Sequence, residues 1–276
     1  MKKYLYAFLF FVVVFSTLVN LTANGIIFHP EEHAWPTVLP FESVSFNSAD
    51  GTPVHALYLA PADYMDTILF FPGNAGNSSY FEDFAQVYAK YGYGVLIPDY
   101  RGFGKTPGKT TERGIYEDAV AAVNFLTKDK KTDPSRLVLW GYSFGGAPAV
   151  EAALRFSDVP LKALILQSPF TNIPQTAAMI MAGNYNPLSG FQKTIIGIAH
   201  VVLFDKRYDN LAKIGRVRIP IFIAYTQQDT LILWEMSQAL ADAAPQGSKR
   251  FLSPTGKHTD FAWPEAQARA FLNSLP

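Results

Sequence analysis

The chain has 276 residues, enough for one sizeable core, and a formal net charge of zero. Charge balance without a long basic run excludes an electrostatic footprint for nucleic acid. The absence of cysteine excludes disulfides, thiolate metal sites and a cysteine nucleophile, and no other metal or cofactor is expected.

The first element follows Lys2 and Lys3: sixteen residues without charge, Tyr4 to Val19, whose apolar character continues into "NLTANGIIF". A spanning helix needs roughly 20 mainly apolar residues, so residues 1–27 are expected to anchor the chain in a membrane. The alternative is a signal peptide cleaved after Ala23, although Leu21 occupies a position that favours a small residue. No Lys or Arg recurs until Lys90, which places the positive end on the cytoplasmic side and the rest of the chain outside the cytoplasm, membrane-bound or, after cleavage, secreted.

Residues 28–40, "HPEEHAWPTVLP" and its flanks, are punctuated by proline and lack periodicity, which predicts a linker. "SVSF" and "VHALYL" alternate across the turn signal "SADGTP", which predicts a hairpin. The pattern then changes to short continuous apolar runs, "TILFF" and "GVLIP", with further strand signals at "RLVLW", "KALILQ", "IPIFIAY" and "KRFLS". Helical stretches separate most of them, including "SSYFEDFAQVYAK", "GIYEDAVAAVNFLTK", "LWEMSQALADA" and "PEAQARAFLNSL". Strands buried on both faces and alternating with amphipathic helices predict an α/β fold with a mainly parallel sheet covered on both sides. About fifty residues between Phe170 and Ile219 interrupt this alternation; with "AAMIMAG" and "TIIGIAHVVLF" they predict a helical cap insertion at about 171–215, over the carboxyl edge of the sheet.

Ligands of open α/β sheets bind outside the carboxyl ends of the strands. At such an end lies Gly141-Tyr142-Ser143-Phe144-Gly145, a G-x-S-x-G sequence directly after an apolar strand and directly before a helix. That context predicts a nucleophile elbow. The turn is so sharp that the two glycines are needed for backbone clearance, and the serine hydroxyl is lifted above the sheet edge. A neutral hydroxyl needs a base. Of the five histidines, His29 and His33 fall in the linker, His55 in the hairpin and His200 in the cap; His258 follows the last strand and is the one well placed. Asp229, after "IPIFIAY", completes the order nucleophile, acid, base, with Asp260, Asp205 and Asp209 as competitors. Backbone amides of Phe144, after the nucleophile, and Asn74, in the loop "PGNAGNSS", are the expected oxyanion donors. "RGFGKTPGKT" from Arg101 to Thr110 resembles a phosphate-binding loop but fails its spacing, because the leading glycine is absent at Phe103 and at Asp99.

"FPGNAGN", "PDYRGFGKTPG", "GIYEDAVAAVNFL", "GYSFGG", "SPFT", "IPIFIAYTQQD" and "GKHTDF" together resemble the α/β-hydrolase superfamily over residues 41–276. More narrowly they resemble its amino-terminally membrane-anchored serine hydrolases, a branch related to serine aminopeptidases and monoacylglycerol lipases. The resemblance implies an eight-stranded, mostly parallel sheet whose second strand is antiparallel, no cofactor, and a Ser-His-Asp triad at Ser143, His258 and Asp229. Two departures stand out: Pro72 where relatives have histidine before the oxyanion glycine, and Tyr225-Thr226-Gln227-Gln228 where they have a small step before the acid. The expected activity is hydrolysis of carboxylic esters or thioesters with a lipophilic acyl group, on a small-molecule, lipid or acylated-protein substrate. A peptidase or amidase, or a catalytically silent scaffold of the same fold, are the alternatives.

Overall fold

The computed structural model describes residues 27–182 and 207–276, together with Tyr6, Val14, Thr17 and Gly25. Eight strands form one sheet: β2 (Glu42–Asn47), β3 (Pro53–Leu59), β4 (Thr67–Phe71), β6 (Gly94–Pro98), β7 (Leu137–Tyr142), β8 (Ala163–Gln167), β9 (Ile221–Thr226) and β10 (Lys249–Ser253). Their spatial order is β10-β9-β8-β7-β4-β6-β3-β2. β3 runs antiparallel to both β2 and β6, and every other pair is parallel. This is the eight-stranded sheet with an antiparallel second strand that the family resemblance implies.

The strands form where they do because each central run is apolar on both faces. Ile68, Phe70, Val138 and Trp140 point to one layer, packed by α1 (Glu82–Ala89) and α7 (Glu265–Asn273) through Phe84, Tyr88, Ala268 and Leu272. Leu69, Phe71, Leu137 and Leu139 point to the other, packed by α2 (Glu112–Asn124), α3 (Gly146–Arg155) and α6 (Trp234–Ala243). Alternation of side chains along a strand sends neighbours into opposite cores. Each fully buried Leu, Ile or Phe contributes ~1.5–3 kcal/mol before chain entropy is set against it. The α2 stretch ends in a π-helical turn, Phe125–Asp129, which its sequence did not predict.

Two further strands, β1 (His29–Pro30) and β5 (Ala75–Gly76), make a small parallel pair apart from the main sheet. They alter the picture of 28–40 as a linker: the stretch lies on the domain and is hydrogen-bonded to it along its length. The expected cap is described only at its ends, α4 (Ile173–Ala182) and α5 (Leu211–Ile214). The chain leaves and returns at one point, where the Ile173 amide donates to the Arg207 carbonyl and the Asn210 amide to the Thr171 carbonyl, both at 2.9 Å. "TIIGIAHVVLF", His200 and Asp205 lie outside the described residues, as does the apolar amino-terminal segment except Tyr6, Val14 and Thr17. No helix among the described residues is long and apolar enough to cross a membrane.

Candidate active site

β7 ends at Tyr142, and Ser143 adopts φ +53°, a left-handed conformation that costs a serine energy and persists where its surroundings enforce it. The two flanking glycines are obligatory for steric reasons. A Cβ on Gly145 would lie 1.9 Å from the Phe71 carbonyl oxygen, and one on Gly141 would lie 2.6 Å from the Gly145 carbonyl oxygen. A single 3₁₀ turn, Ser143–Gly145, then feeds α3, whose free amides and positive dipole end face the serine.

The structure brings Ser143, His258 and Asp229 together, although 115 residues separate the first two. The Ser143 hydroxyl lies 3.0 Å from His258 Nε2, and His258 Nδ1 lies 2.7 Å from Asp229 Oδ2. All three residues are buried. The arrangement is satisfied when Nδ1 carries the ring proton and donates to the carboxylate, leaving Nε2 to accept from the hydroxyl. Asp229 is itself held, since its Oδ1 accepts from the amides of Leu231 (2.9 Å) and Ile232 (2.8 Å). The Thr226-Gln228 departure from the usual sequence is accommodated, because Thr226 Oγ accepts from the Gln228 amide and donates to the Gly256 carbonyl, tying the acid loop to the histidine loop. On the far side, the Tyr142 hydroxyl donates to the His258 carbonyl at 2.8 Å. Burial, and after it the Asp229 charge, pushes the Tyr142 phenol well above its usual range, so it remains a donor.

The competing carboxylates are engaged elsewhere. Asp260 is exposed and accepts from the Ala262 amide, and Asp209 accepts from the Ala212 amide at the start of α5.

The loop after β4 lies against the serine. A Cβ on Gly73 would come within 3.2 Å of the Tyr142 ring and 3.9 Å of the Ser143 Cβ, so glycine permits the close approach of the 72–74 backbone. Asn74 follows, and the Phe144 amide opens the 3₁₀ turn behind the serine. Pro72, the other departure, has its carbonyl anchored by the Tyr100 hydroxyl at 2.9 Å. The ring of Phe144 sits in an aromatic cluster with Phe28, Tyr100, Phe170 and Tyr208.

A second Ser-His-Asp chain was not anticipated. Ser43 Oγ is 2.8 Å from His55 Nε2, and His55 Nδ1 is 2.7 Å from Asp99 Oδ2. Ser43 sits inside an edge strand with no helix opening behind it, so the turn that presents Ser143 to a helix terminus has no counterpart. Asp99 also accepts from the Ser78 and Lys105 amides, and a Cβ on Gly104 would fall 2.3 Å from its carboxylate. Gly104 therefore lets the "RGFGKTPG" loop close on a carboxylate, consistent with that loop's failure to fit the phosphate-binding pattern. Among the described residues no cluster of three potential ligands could hold a metal ion.

A profile of the alpha/beta hydrolase fold matches residues 66–206. The uncharacterized protein YfhR of Escherichia coli (strain K12) is 30% identical over 261 residues, covering 92% of this chain and 86% of that one. The lysophosphatidylserine lipase ABHD12 of Danio rerio is 30% identical over 184 residues, covering 65% of this chain and 47% of that protein. Among solved structures, the Pyrococcus furiosus esterase Pf2001 superposes with a TM-score of 0.69 at 18% identity, over 90% of this chain and 98% of that one, a likeness of fold.

Proposed function

The chain belongs to the alpha/beta hydrolase fold family, and on that footing we propose that it is a serine hydrolase of carboxylic esters or thioesters. The observation that carries the proposal is the unbroken hydrogen-bond chain from Ser143 through His258 to Asp229. His258 Nε2 takes the proton as Ser143 Oγ attacks the acyl carbonyl carbon. Asp229 holds the ring and balances the imidazolium that forms. The amides of Phe144 and Asn74 receive the charge that develops on the carbonyl oxygen, each worth ~2.7–4 kcal/mol of transition-state stabilisation. The carbonyl re-forms, the bond to the leaving oxygen or sulfur breaks, and His258 returns its proton to that atom. Water, deprotonated by the same imidazole, then releases the acid and restores the serine.

A lipophilic acyl group is favoured by the apolar stretches "AAMIMAG" and "TIIGIAHVVLF" of the cap insertion, and by a relative named as a lysophosphatidylserine lipase. The same reading includes anchoring by residues 1–27, through the uncharged stretch that follows Lys2 and Lys3, with the 41–276 domain on the outer side of the membrane. A panel of nitrophenyl esters from acetyl to palmitoyl, with matched thioesters and amino-acid amides, tests the substrate class. Turnover that rises with chain length and exceeds amide turnover is the expected result. Acetyl-only turnover contradicts the lipophilic acyl group, and a preference for amides contradicts the esterase reading.

A further inference from the structure

We infer that residues 27–39 act as a strap that sets the oxyanion loop, with Phe28 as a positioning residue at Phe144 and the flanking Ile27 and His29 backbone holding Asn74; this rests on the hydrolase reading above. The strap reaches each donor separately. At Asn74 it bonds twice: the His29 amide donates to the Asn74 carbonyl at 2.9 Å, and Asn74 Nδ2 donates to the Ile27 carbonyl. At Phe144 it packs: the Phe28 ring, 3% exposed, meets the Phe144 ring edge-to-face at 5.0 Å and reaches Phe103 and Tyr208 at 6.1 and 6.3 Å.

The rest of the strap is fixed to the same loop and to the helix behind it. β1 pairs with β5 in the register His29↔Ala75 and Pro30↔Gly76. The Glu31 amide donates to Gly76 O, and Asn77 Nδ2 donates to the carbonyls of Glu31 and His33. Further on, the Trp35 amide donates to Ser79 Oγ, and the amides of Val38 and Leu39 share Glu82 Oε1. A segment that merely joined two parts of the chain would need none of these bonds and no buried phenylalanine.

The physical reason for such a hold lies in the loop. Gly73 lets the loop pack closely on the Tyr142 ring beside Ser143, yet glycine leaves the adjoining peptide planes free to rotate. An oxyanion donor works only if its N–H is aimed before the charge develops. Bonding the Asn74 carbonyl and side chain to the strap fixes the residue on the Cα side of its own amide. Packing Phe28 on Phe144 does the same for the second donor's side chain.

The test uses the full chain with Phe28→Ala, Phe28→Leu and Asn74→Ala. Asn74→Ala keeps the backbone amide and removes the side-chain bond to the strap. Three quantities are read: kcat and KM on a nitrophenyl ester, the inhibition constant of a trifluoromethyl ketone that the serine converts to an oxyanionic adduct, and hydrogen exchange over residues 72–78. Misaiming a donor should cost less than the roughly 10²–10³-fold loss seen when one is deleted. Phe28→Ala and Asn74→Ala are therefore expected to lower kcat roughly 10–100-fold with KM within about twofold. The ketone should weaken by the same factor as kcat/KM, exchange should quicken at 72–78, and Phe28→Leu should recover most of the loss.

Folded variants with kcat within about twofold of wild type overturn the inference, as does a loss of kcat/KM that the ketone affinity does not follow. If Phe28→Ala does not fold, Phe28→Leu and Asn74→Ala decide by the same criteria. Wild-type protein that neither turns over ester nor binds the ketone overturns the hydrolase reading; quickened exchange alone would then leave the strap a stabilising contact, and the inference falls with it. Active wild type with insensitive variants overturns the strap alone.

Discussion

The hydroxyl of Tyr142 donates to the carbonyl oxygen of His258 at 2.8 Å, so the residue immediately before the proposed nucleophile holds the main chain of the proposed base. Their rings also lie 5.2 Å apart. One side chain thus fixes the relative position of two loops that come from β7 and from beyond β10. Tyr142→Phe leaves the His258 carbonyl without this partner, at a cost of about 1–3 kcal/mol for a buried acceptor. The expected outcome is a lower unfolding temperature together with a roughly tenfold fall in kcat, measured by calorimetry and ester turnover. Unchanged turnover would show that the histidine loop holds its place without the phenol.

Asp229→Asn keeps the size of the side chain but removes the negative charge facing His258 Nδ1. The amide can leave the imidazole in the wrong tautomer, with its proton on the nitrogen that should accept from Ser143. The expected loss in kcat is about 10⁴-fold, with the fold preserved because the Oδ1 partners Leu231 and Ile232 can still bond to a carbonyl oxygen. Steady-state kinetics beside a circular dichroism spectrum checks both halves.

Ser43→Ala breaks the second Ser-His-Asp chain at its exposed end. That chain joins the β2–β3 hairpin to the loop after β6, and its serine has no turn to present it to a reacting carbonyl. Turnover within about twofold of wild type and a stability change below about 1 kcal/mol are expected for one exposed hydrogen bond. A large loss of activity would mean that this chain takes part in the chemistry.

Asp50 gives stability a dependence on acid. Its carboxyl is held well below the usual carboxylate range by the hydrogen bond from Arg101, whose Nη1 lies 2.8 Å away, and then by bonds from Thr52. Because the folded-state value is depressed, the stabilisation is complete above the unfolded carboxylate value near 3.9 and is lost as pH falls through the folded value. Unfolding temperatures measured from about pH 6 to pH 2 should fall below about pH 4, and less steeply in Asp50→Asn. Parallel curves for the two proteins would contradict the assignment.

The central strands of the sheet were legible because each is a short apolar run ended by glycine, proline or a polar turn; "TILFF" and "GVLIP" coincide with β4 and β6, while the edge strand "KRFLS", β10, is mixed and largely exposed. The proximity of Ser143, Asp229 and His258 was also accessible, since each follows a parallel strand and such strands end on one rim. The strap was not. A two-residue strand has no periodicity, and Phe28 reads as the tail of the preceding apolar stretch, so its burial on Phe144 depends on a loop nearly fifty residues further along. The Ser43-His55-Asp99 chain was hidden for a similar reason. The hairpin places two of its members, but Asp99 joins them only because β3 pairs with β6, setting Ala56 opposite Pro98. The need for Gly145, by contrast, followed from the motif, and the Phe71 carbonyl supplies the obstacle.

The central claim is that Ser143 is a nucleophile activated by His258. Labelling of the folded full-length protein with a fluorophosphonate probe, located by mass spectrometry of its peptides, tests it most directly. The account predicts one label, on Ser143, that disappears in Ser143→Ala and falls at least about 10³-fold in rate in His258→Ala. A folded protein that takes no label, or a label that persists in Ser143→Ala, would contradict it.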